Sequence, residues 1–200
     1  MKKILAAAIA ATLVAPAAFA GDNIVVYGKI HNSVDFTDDS VSDDRVDVTD
    51  RDSRIGFKGS EDLGNGLKAI FKFEMQANTS DYAAGWGSGR NSYVGLAGDF
   101  GTAVVGRHDT PLKMSTGKLN VFADQLADYK NFAQMEDIRA GDVIAYISPN
   151  FSGLTVMAAT VAGGRDGVPG EEDNIASGYS LDATYSNAGF FVALAYEDTE

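Results

Sequence analysis

Cysteine is absent from this 200-residue sequence, and histidine and proline are scarce, at two and four residues. Without cysteine the chain cannot form a disulfide bond or use a thiolate as a nucleophile or metal ligand. His31 and His108 are too few for a zinc site. The aspartates of residues 37–52 lack the spacing of a calcium-binding loop. The sequence therefore predicts neither a metal nor a cofactor.

Positive charge is also in short supply. Lysine and arginine number 16 against 28 for aspartate and glutamate, which gives a formal net charge of −12. Binding to nucleic-acid phosphates requires clustered lysine and arginine side chains. We therefore expect no nucleic-acid partner.

Long hydrophobic runs are confined to the N-terminus. Residues 1–20 read MKKILAAAIAATLVAPAAFA, in which Lys2 and Lys3 precede an apolar run and Ala18 and Ala20 form a small-x-small cleavage site. This pattern is typical of a cleaved secretory signal peptide and predicts export of residues 21–200. Beyond it, no segment approaches the roughly 18 apolar residues of a membrane-spanning helix.

Short alternating segments, separated by turns rich in glycine, asparagine and aspartate, fill the rest of the chain. A period of two with unlike faces is typical of β-strands. The sequence predicts an all-β fold with about nine strands, at 24–36, in the hairpin 53–76 (two strands), and at 90–98, 102–107, 139–148, 154–162, 178–186 and 190–197. The spacing of Phe122, Leu126 and Tyr129 also predicts helix within 121–132.

The hairpin at 53–76 has the clearest alternation. Its second strand has an apolar row on one face, formed by Leu67, Ala69, Phe71, Phe73 and Met75. The other face carries Lys68, Lys72, Glu74 and Gln76, with Ile70 as an apolar intruder. The first strand of the chain alternates similarly, with Tyr27, Lys29, His31, Ser33 and Asp35 on its polar face. Such a strand lies between two unlike media, either core and water or lipid and water.

The connections between the strands favour lipid. Short turns alternate with long loops along the chain, which is typical of an antiparallel up-and-down transmembrane β-barrel. The loops at 37–52 and 79–89 are acidic and glycine-rich, respectively, and the longest connection covers 108–138. A soluble β-sandwich more often has similar turns at both ends. A secreted β-sandwich adhesin or lectin is therefore the alternative.

Four segments give the chain a family resemblance. NIVVYGKI at 23–30, SRIGFKGSEDLGNGLKAIFKFE at 53–74, NSYVGLAGDFGTAVVGR at 91–107 and RAGDVIAYISPNFSGL at 139–154 occur in family order. The chain resembles Gram-negative general diffusion porins, nearest to the neisserial type. The resemblance implies an outer-membrane homotrimer of sixteen-stranded barrels, with a third loop folded into the lumen as a constriction at about 108–138.

The resemblance also implies a set of pore-lining residues. Arg54, Arg90 and Arg139 match the family's basic constriction wall, and Lys58 and Arg107 are possible additional lumen cations. Asp124 and Asp128 are candidates for the opposing acidic wall, although the acidic PEFGG stretch of enteric porins is missing. Each arginine could instead be a solvated strand-end charge or the ion-pair partner of a neighbouring aspartate.

The implied function is a water-filled outer-membrane channel for passive diffusion of ions and small hydrophilic solutes. The acidic net charge favours cations, whereas the arginine wall favours anions. We expect weak cation selectivity. No G-x-S-x-G motif is present, so a barrel enzyme is the less favoured alternative. Contact with lipid and lipopolysaccharide is expected, and loop 37–52 is either a solvated external loop or a weak site for divalent ions.

The number of strands carries a further expectation. Nine is odd, whereas bacterial single-chain barrels close with an even number of strands. An unpaired edge in lipid would leave backbone polar groups unsatisfied. We therefore expect residues 21–200 to be the N-terminal part of a longer barrel and to form an open, curved sheet by themselves.

Overall fold

A computed structural model describes residues 11–13, 18–19, 24–37, 45–80, 85–131, 138–163 and 176–198. The described part is almost entirely β-structure. Its elements are β1 (Ala11–Leu13), β2 (Ala18–Phe19), β3 (Ile24–Thr37), β4 (Arg45–Asp50), β5 (Arg54–Gly64), β6 (Leu67–Ala77), β7 (Trp86–Gly89), β8 (Ser92–Gly98), β9 (Gly101–Asp109), helix α1 (Pro111–Gly117), the 3-10 turn Tyr129–Asn131, β10 (Arg139–Ile147), β11 (Leu154–Val161), β12 (Gly178–Asn187) and β13 (Phe190–Asp198).

The chain divides into two compact units, and β5 and β6 contribute residues to both. The first unit comprises Met1–Phe57 and Glu74–Gly89, and the second comprises Lys58–Phe73 and Arg90–Glu200. In the first unit, β3 pairs antiparallel with β1, β2 and β4, and the end of β6 pairs with β7.

The second unit is an antiparallel meander in the order β6-β8-β9-β10-β11-β12-β13. Two of its tight turns have consecutive residues in the left-handed backbone region. Asn65 and Gly66, and likewise Ala188 and Gly189, have positive φ angles. Two consecutive positive φ angles match the right-handed twist of the flanking strands, so these hairpins turn without splaying.

The meander of the second unit has an apolar face that is exposed. We call this side the exposed face. In β12, Tyr179, Leu181 and Tyr185 are exposed, whereas Ser180 and Asp182 are buried. The same side of the neighbouring strands carries Val94, Leu96, Val105, Ile144, Tyr146, Leu154, Val156, Phe190, Val192, Leu194 and Tyr196, all exposed. This burial pattern is the reverse of that of a soluble sheet, in which the apolar side faces the core.

The opposite side, which we call the buried face, holds a small core. It consists of Val104, Val143, Ala145, Met157 and Ala159, against which Ile70 and Tyr93 pack. Sequence alternation alone left the faces of β8, β10 and β11 unassigned. The pairing register assigns them, because Gly95, Val104, Ala145 and Ala159 lie side by side on β8, β9, β10 and β11.

The first unit shows the same reversal in β3. His31, Ser33 and Asp35 are buried, whereas Ile30 and Phe36 are exposed. This agrees with the two faces predicted from the alternation of the strand.

All nine predicted strands are present, but two predicted loops were partly wrong. Strand β4 lies in the predicted acidic loop, where the alternation of residues 45–50 continues the hairpin with β3. Strand β7 lies in the predicted glycine-rich loop. Strands β1 and β2 fall within the predicted signal peptide. Most of that segment lies outside the described residues.

The described helical structure is short. No helix within the described ranges has the length and apolar character needed to cross a membrane. Among the pairings of described residues, β13 pairs only with β12.

Candidate functional site

The connection between β9 and β10 begins with helix α1. Thr110 has an extended backbone, and its hydroxyl accepts a hydrogen bond from the backbone N–H of Lys113, so it caps the helix. Pro111 lies in the first turn, where its missing N–H costs no hydrogen bond. The helix predicted within 121–132 was wrong, because the described residues 121–131 form turns and one 3-10 turn. The capping signal at Thr110 and Pro111 is the one that defines the helix.

Helix α1 lies on the buried face of the second unit. Its contacts are mainly with β12 and β13. The backbone N–H of Leu112 donates to the Ser180 hydroxyl over 3.1 Å. Lys118 Nζ lies 5.1 Å from the centre of the Phe191 ring, a cation–π distance. The start of the loop therefore folds back over the side of the sheet that lies opposite the exposed apolar face.

Four polar side chains hold the ends of this loop together. We call Asn91, Asp109, Lys113 and Arg139 the loop clamp. Arg139 Nε lies 2.9 Å from Asp109 Oδ1, and its N–H donates to Asn91 Oδ1 over 3.0 Å. Lys113 Nζ lies 3.2 Å from the same Asp109 oxygen. The Asn91 amide donates to Asp109 Oδ2 over 2.8 Å and accepts from the Asp109 backbone N–H over 3.0 Å.

The loop clamp lies at the neck of the loop. Asp109 ends β9 and Arg139 begins β10, and the Thr110 N–H donates to the Ile138 carbonyl over 3.2 Å. The three charged side chains are only 15–19% exposed. Because little water surrounds them, charges this buried attract one another far more strongly than the charges of exposed surface pairs.

Asp128 braces the loop from within. It is 1% exposed. Its carboxylate accepts hydrogen bonds from the Asn120 amide at 2.9 Å and from the backbone N–H groups of Asp124 and Lys130 at 2.7 and 3.1 Å. Burial by itself would raise the pKa of Asp128, but these hydrogen bonds and the charge of Lys130 outweigh it and hold the pKa below its ordinary value.

We expect the loop around Asp128 to lose local stability in acid. Because the folded pKa is depressed, its contribution is complete above the ordinary value of 3.8 and is lost as the pH falls below it. Hydrogen exchange at the Asp124 and Lys130 amides, measured from neutral pH downward, should show protection falling in that range. The matched variant Asp128→Asn should have low protection throughout. Equal pH dependence of protection in the two proteins would contradict the prediction.

The other predicted site residues differ in burial and in the side of the sheet on which they lie. Arg54, in the first unit, is half-buried and forms no hydrogen bond or ion pair through its side chain with any described residue. Arg90 is buried beside Asn91 of the loop clamp. Lys58 is exposed on β5. Arg107 pairs in register with Ser92, which puts it on the side of Val105 rather than on the buried face.

Sequence reasoning did not identify the partners in two largely buried charge pairs. One is Asp109 with Arg139 in the loop clamp. The other is Arg51, whose guanidinium contacts the Asp35 carboxylate and donates to the Ser33 hydroxyl over 2.8 Å. Thr49 donates to Asp35 over 2.7 Å. The available signal was the position of these residues at strand ends, but pairing them requires the register.

The fold and the site together define a class of protein. An antiparallel meander with an apolar exposed face, and with a long loop folded over the opposite side, has the features of a membrane-embedded β-structure with a loop-lined interior. Residues 6–200 match the sequence profile of the Gram-negative porins, and the chain belongs to that family. This confirms the resemblance found in the sequence.

Individual relatives support the assignment to this family. The chain is 35% identical over 208 residues to the major outer membrane protein P.IB of Neisseria gonorrhoeae, covering 98% of this chain and 56% of the relative. It is 37% identical over 202 residues to the protein of the same name from Neisseria meningitidis serogroup B, covering 96% and 57%. The chain thus spans a little over half the length of these relatives.

A solved structure extends the similarity to the fold. An anion-selective porin from Comamonas acidovorans superposes with a TM-score of 0.69 at 28% identity, over 87% of this chain and 56% of the other. These relatives are channel proteins rather than enzymes.

Proposed function

We propose that this chain forms part of the wall of a water-filled outer-membrane pore, through which ions and small hydrophilic solutes diffuse passively without a catalytic step. One observation carries the proposal: large apolar side chains are exposed on one face of the second unit, while a helix-bearing loop covers the other. Lipid can solvate the first face, and a lumen can accommodate the second.

The wider arrangement follows the family. We propose export through a signal peptide at residues 1–20, a barrel completed by residues beyond this sequence, and a homotrimer in contact with lipid and lipopolysaccharide. Loop 108–138 is the proposed constriction. The position of α1 on the buried face supports an inward fold for at least the start of this loop.

We keep the basic wall as part of the proposal, with roles that follow the surroundings of each residue. Arg54 is the foremost candidate for a lumen cation, since no described carboxylate balances its charge. Arg90 and Arg139 contribute from the neck of the loop, and Lys58 is a secondary candidate, whereas Arg107 is left out because the register puts it on the side of Val105. Asp124 and Asp128 remain the candidates for the acidic wall. Asp128 also stabilises the loop, because its carboxylate accepts hydrogen bonds from Asn120 and Asp124.

Planar-bilayer recording tests the pore itself. The complete protein should give stepwise conductance without added substrate, as expected of a passive channel. A protein that inserts into the bilayer but yields no conductance steps would refute the proposal.

The absence of cysteine allows a sharper test of the two faces. Ala195 and Leu194 are adjacent in β13, where Ala195 lies on the buried face opposite Asp182 and Leu194 is exposed. After treatment with a charged, water-soluble thiol reagent, conductance should fall in Ala195→Cys and stay unchanged in Leu194→Cys. The reverse result would contradict the assignment of the faces, even in a protein that conducts.

A further inference from the structure

The carboxylate of Asp109 joins the two cations of the loop clamp. Arg139 Nε and Lys113 Nζ lie 2.9 and 3.2 Å from the same oxygen, Oδ1. Arg139 has no other carboxylate partner within the described ranges. Asp109 thus links three elements at one point: the end of β9, the start of β10 and the first turn of α1.

We propose that Asp109 determines both the position of the constriction loop and the charge selectivity of the pore. The inference rests on the proposed channel function and names a residue that controls it. Asp109 is a positioning residue for the loop, because it acts through Arg139 and Lys113.

The positional half of the inference follows from the topology. The loop leaves the sheet immediately after Asp109 and returns at Arg139, so their ion pair closes its neck. Lys113, in the first turn of α1 and four residues after Asp109, fixes the helix to the same carboxylate. Removing one partner from a largely buried charge cluster leaves the remaining charges uncompensated, which destabilises the arrangement. Without Asp109 the neck should open and α1 should move more freely.

The selectivity half follows from the charges. The loop clamp contains two cations and one anion, so it carries one net positive charge at the root of the loop. Loss of the Asp109 charge raises this to two and removes the carboxylate that both cations approach. Lys113 belongs to α1, which lies on the buried face, the proposed lumen side. A full charge on that side, within about a Debye length of the lumen (roughly 8–10 Å at physiological salt), acts on passing ions without complete screening.

Single-channel recording of Asp109→Asn in the complete protein tests both halves. In a potassium chloride gradient, the anion-to-cation permeability ratio should rise about two-fold, the size expected of one charge acting across roughly 10 Å of water. Closures and sub-conductance steps should also become more frequent, because the loop is less firmly held. The Asp109→Glu variant should restore much of both properties.

Two controls separate the proposal from simpler effects. Asp99→Asn changes the net charge equally, but Asp99 lies in the β8–β9 turn, at the other end of these strands. It should shift the permeability ratio less and leave the closures unchanged. Lys113→Met loosens the helix but removes a cation, so closures should increase while the permeability ratio shifts toward cations.

These experiments distinguish an error in the role of Asp109 from an error in the proposed channel function. The unaltered protein must conduct in every series, and its failure to do so would refute the proposed function instead. If Asp109→Asn conducts with the same ratio and closure frequency as Asp99→Asn, the inference is overturned. If Asp109→Asn does not fold, the opposite signs expected for Lys113→Met decide the question, and an unchanged ratio in that variant overturns it.

Discussion

Replacing Leu194 with arginine should lower the free energy of unfolding of the protein in lipid vesicles by about 2–4 kcal/mol. Leu194 is 77% exposed on β13, and its neighbours on the exposed face, Val192 and Tyr196, are apolar. In water, arginine at so exposed a position would be nearly neutral. In hydrocarbon, its charge loses hydration that nothing on this face replaces. Urea titration of the vesicle-embedded protein measures the difference.

The matched control is Ala195→Arg in the same strand. The register puts Ala195 opposite Asp182 on the buried face, where an arginine would meet a carboxylate. We expect a smaller loss of stability in this variant than in Leu194→Arg. Equal losses in the two variants would indicate that both faces meet similar surroundings, and would contradict a lipid-facing role for Leu194.

Gly95→Ala should destabilise the second unit, although it adds only one methyl group. A Cβ added at Gly95 would overlap the Ala103 carbonyl oxygen and lie 2.8 Å from Val104 Cγ1. The first contact is with the backbone of the neighbouring strand, so the β8–β9 ladder must shift to relieve it. Overpacking of this kind costs about 1–3 kcal/mol and occasionally more. Urea unfolding in vesicles should show a lower midpoint.

Gly89→Ala serves as the comparison. A Cβ at Gly89 meets nothing within 4 Å. Its backbone does not require glycine either, since its φ is not among the positive values. Stability within about 0.5 kcal/mol of the unaltered protein is expected for a substitution of this kind. Wild-type stability in Gly95→Ala would mean that β8 and β9 do not approach as closely as described.

The strand pattern shows how far local chemistry reaches. The alternation of Tyr179, Leu181 and Tyr185 with Ser180 and Asp182 predicted both a strand and its two faces, and the burial of these residues agrees. The alternation of Val46 and Val48 carried the same information, but the surrounding aspartates led to the prediction of a loop. Strands 8, 10 and 11 alternate poorly, and only their pairing with neighbours assigns their faces.

The site was less accessible to sequence reasoning. Arg139 was predicted to line the pore, with pairing to a neighbouring aspartate as the alternative, and the structure supplies Asp109 as that partner. These two residues are thirty positions apart, and no local pattern relates them. Asp128 was considered for its charge alone, yet its carboxylate is occupied by hydrogen bonds from its own loop. The pore-lining roles of the cations remain predictions.

The sequence by itself determined the all-β class, the positions of most strands and the family, because a period of two and turn-forming residues act over a few neighbouring positions. Only the tertiary structure decided which side chains share a charge at the loop neck and where the helix α1 lies. Those features depend on strand register and on the return of a long loop. A shift of one residue in register would exchange the two faces of a strand, and the resulting contacts join residues far apart in the chain.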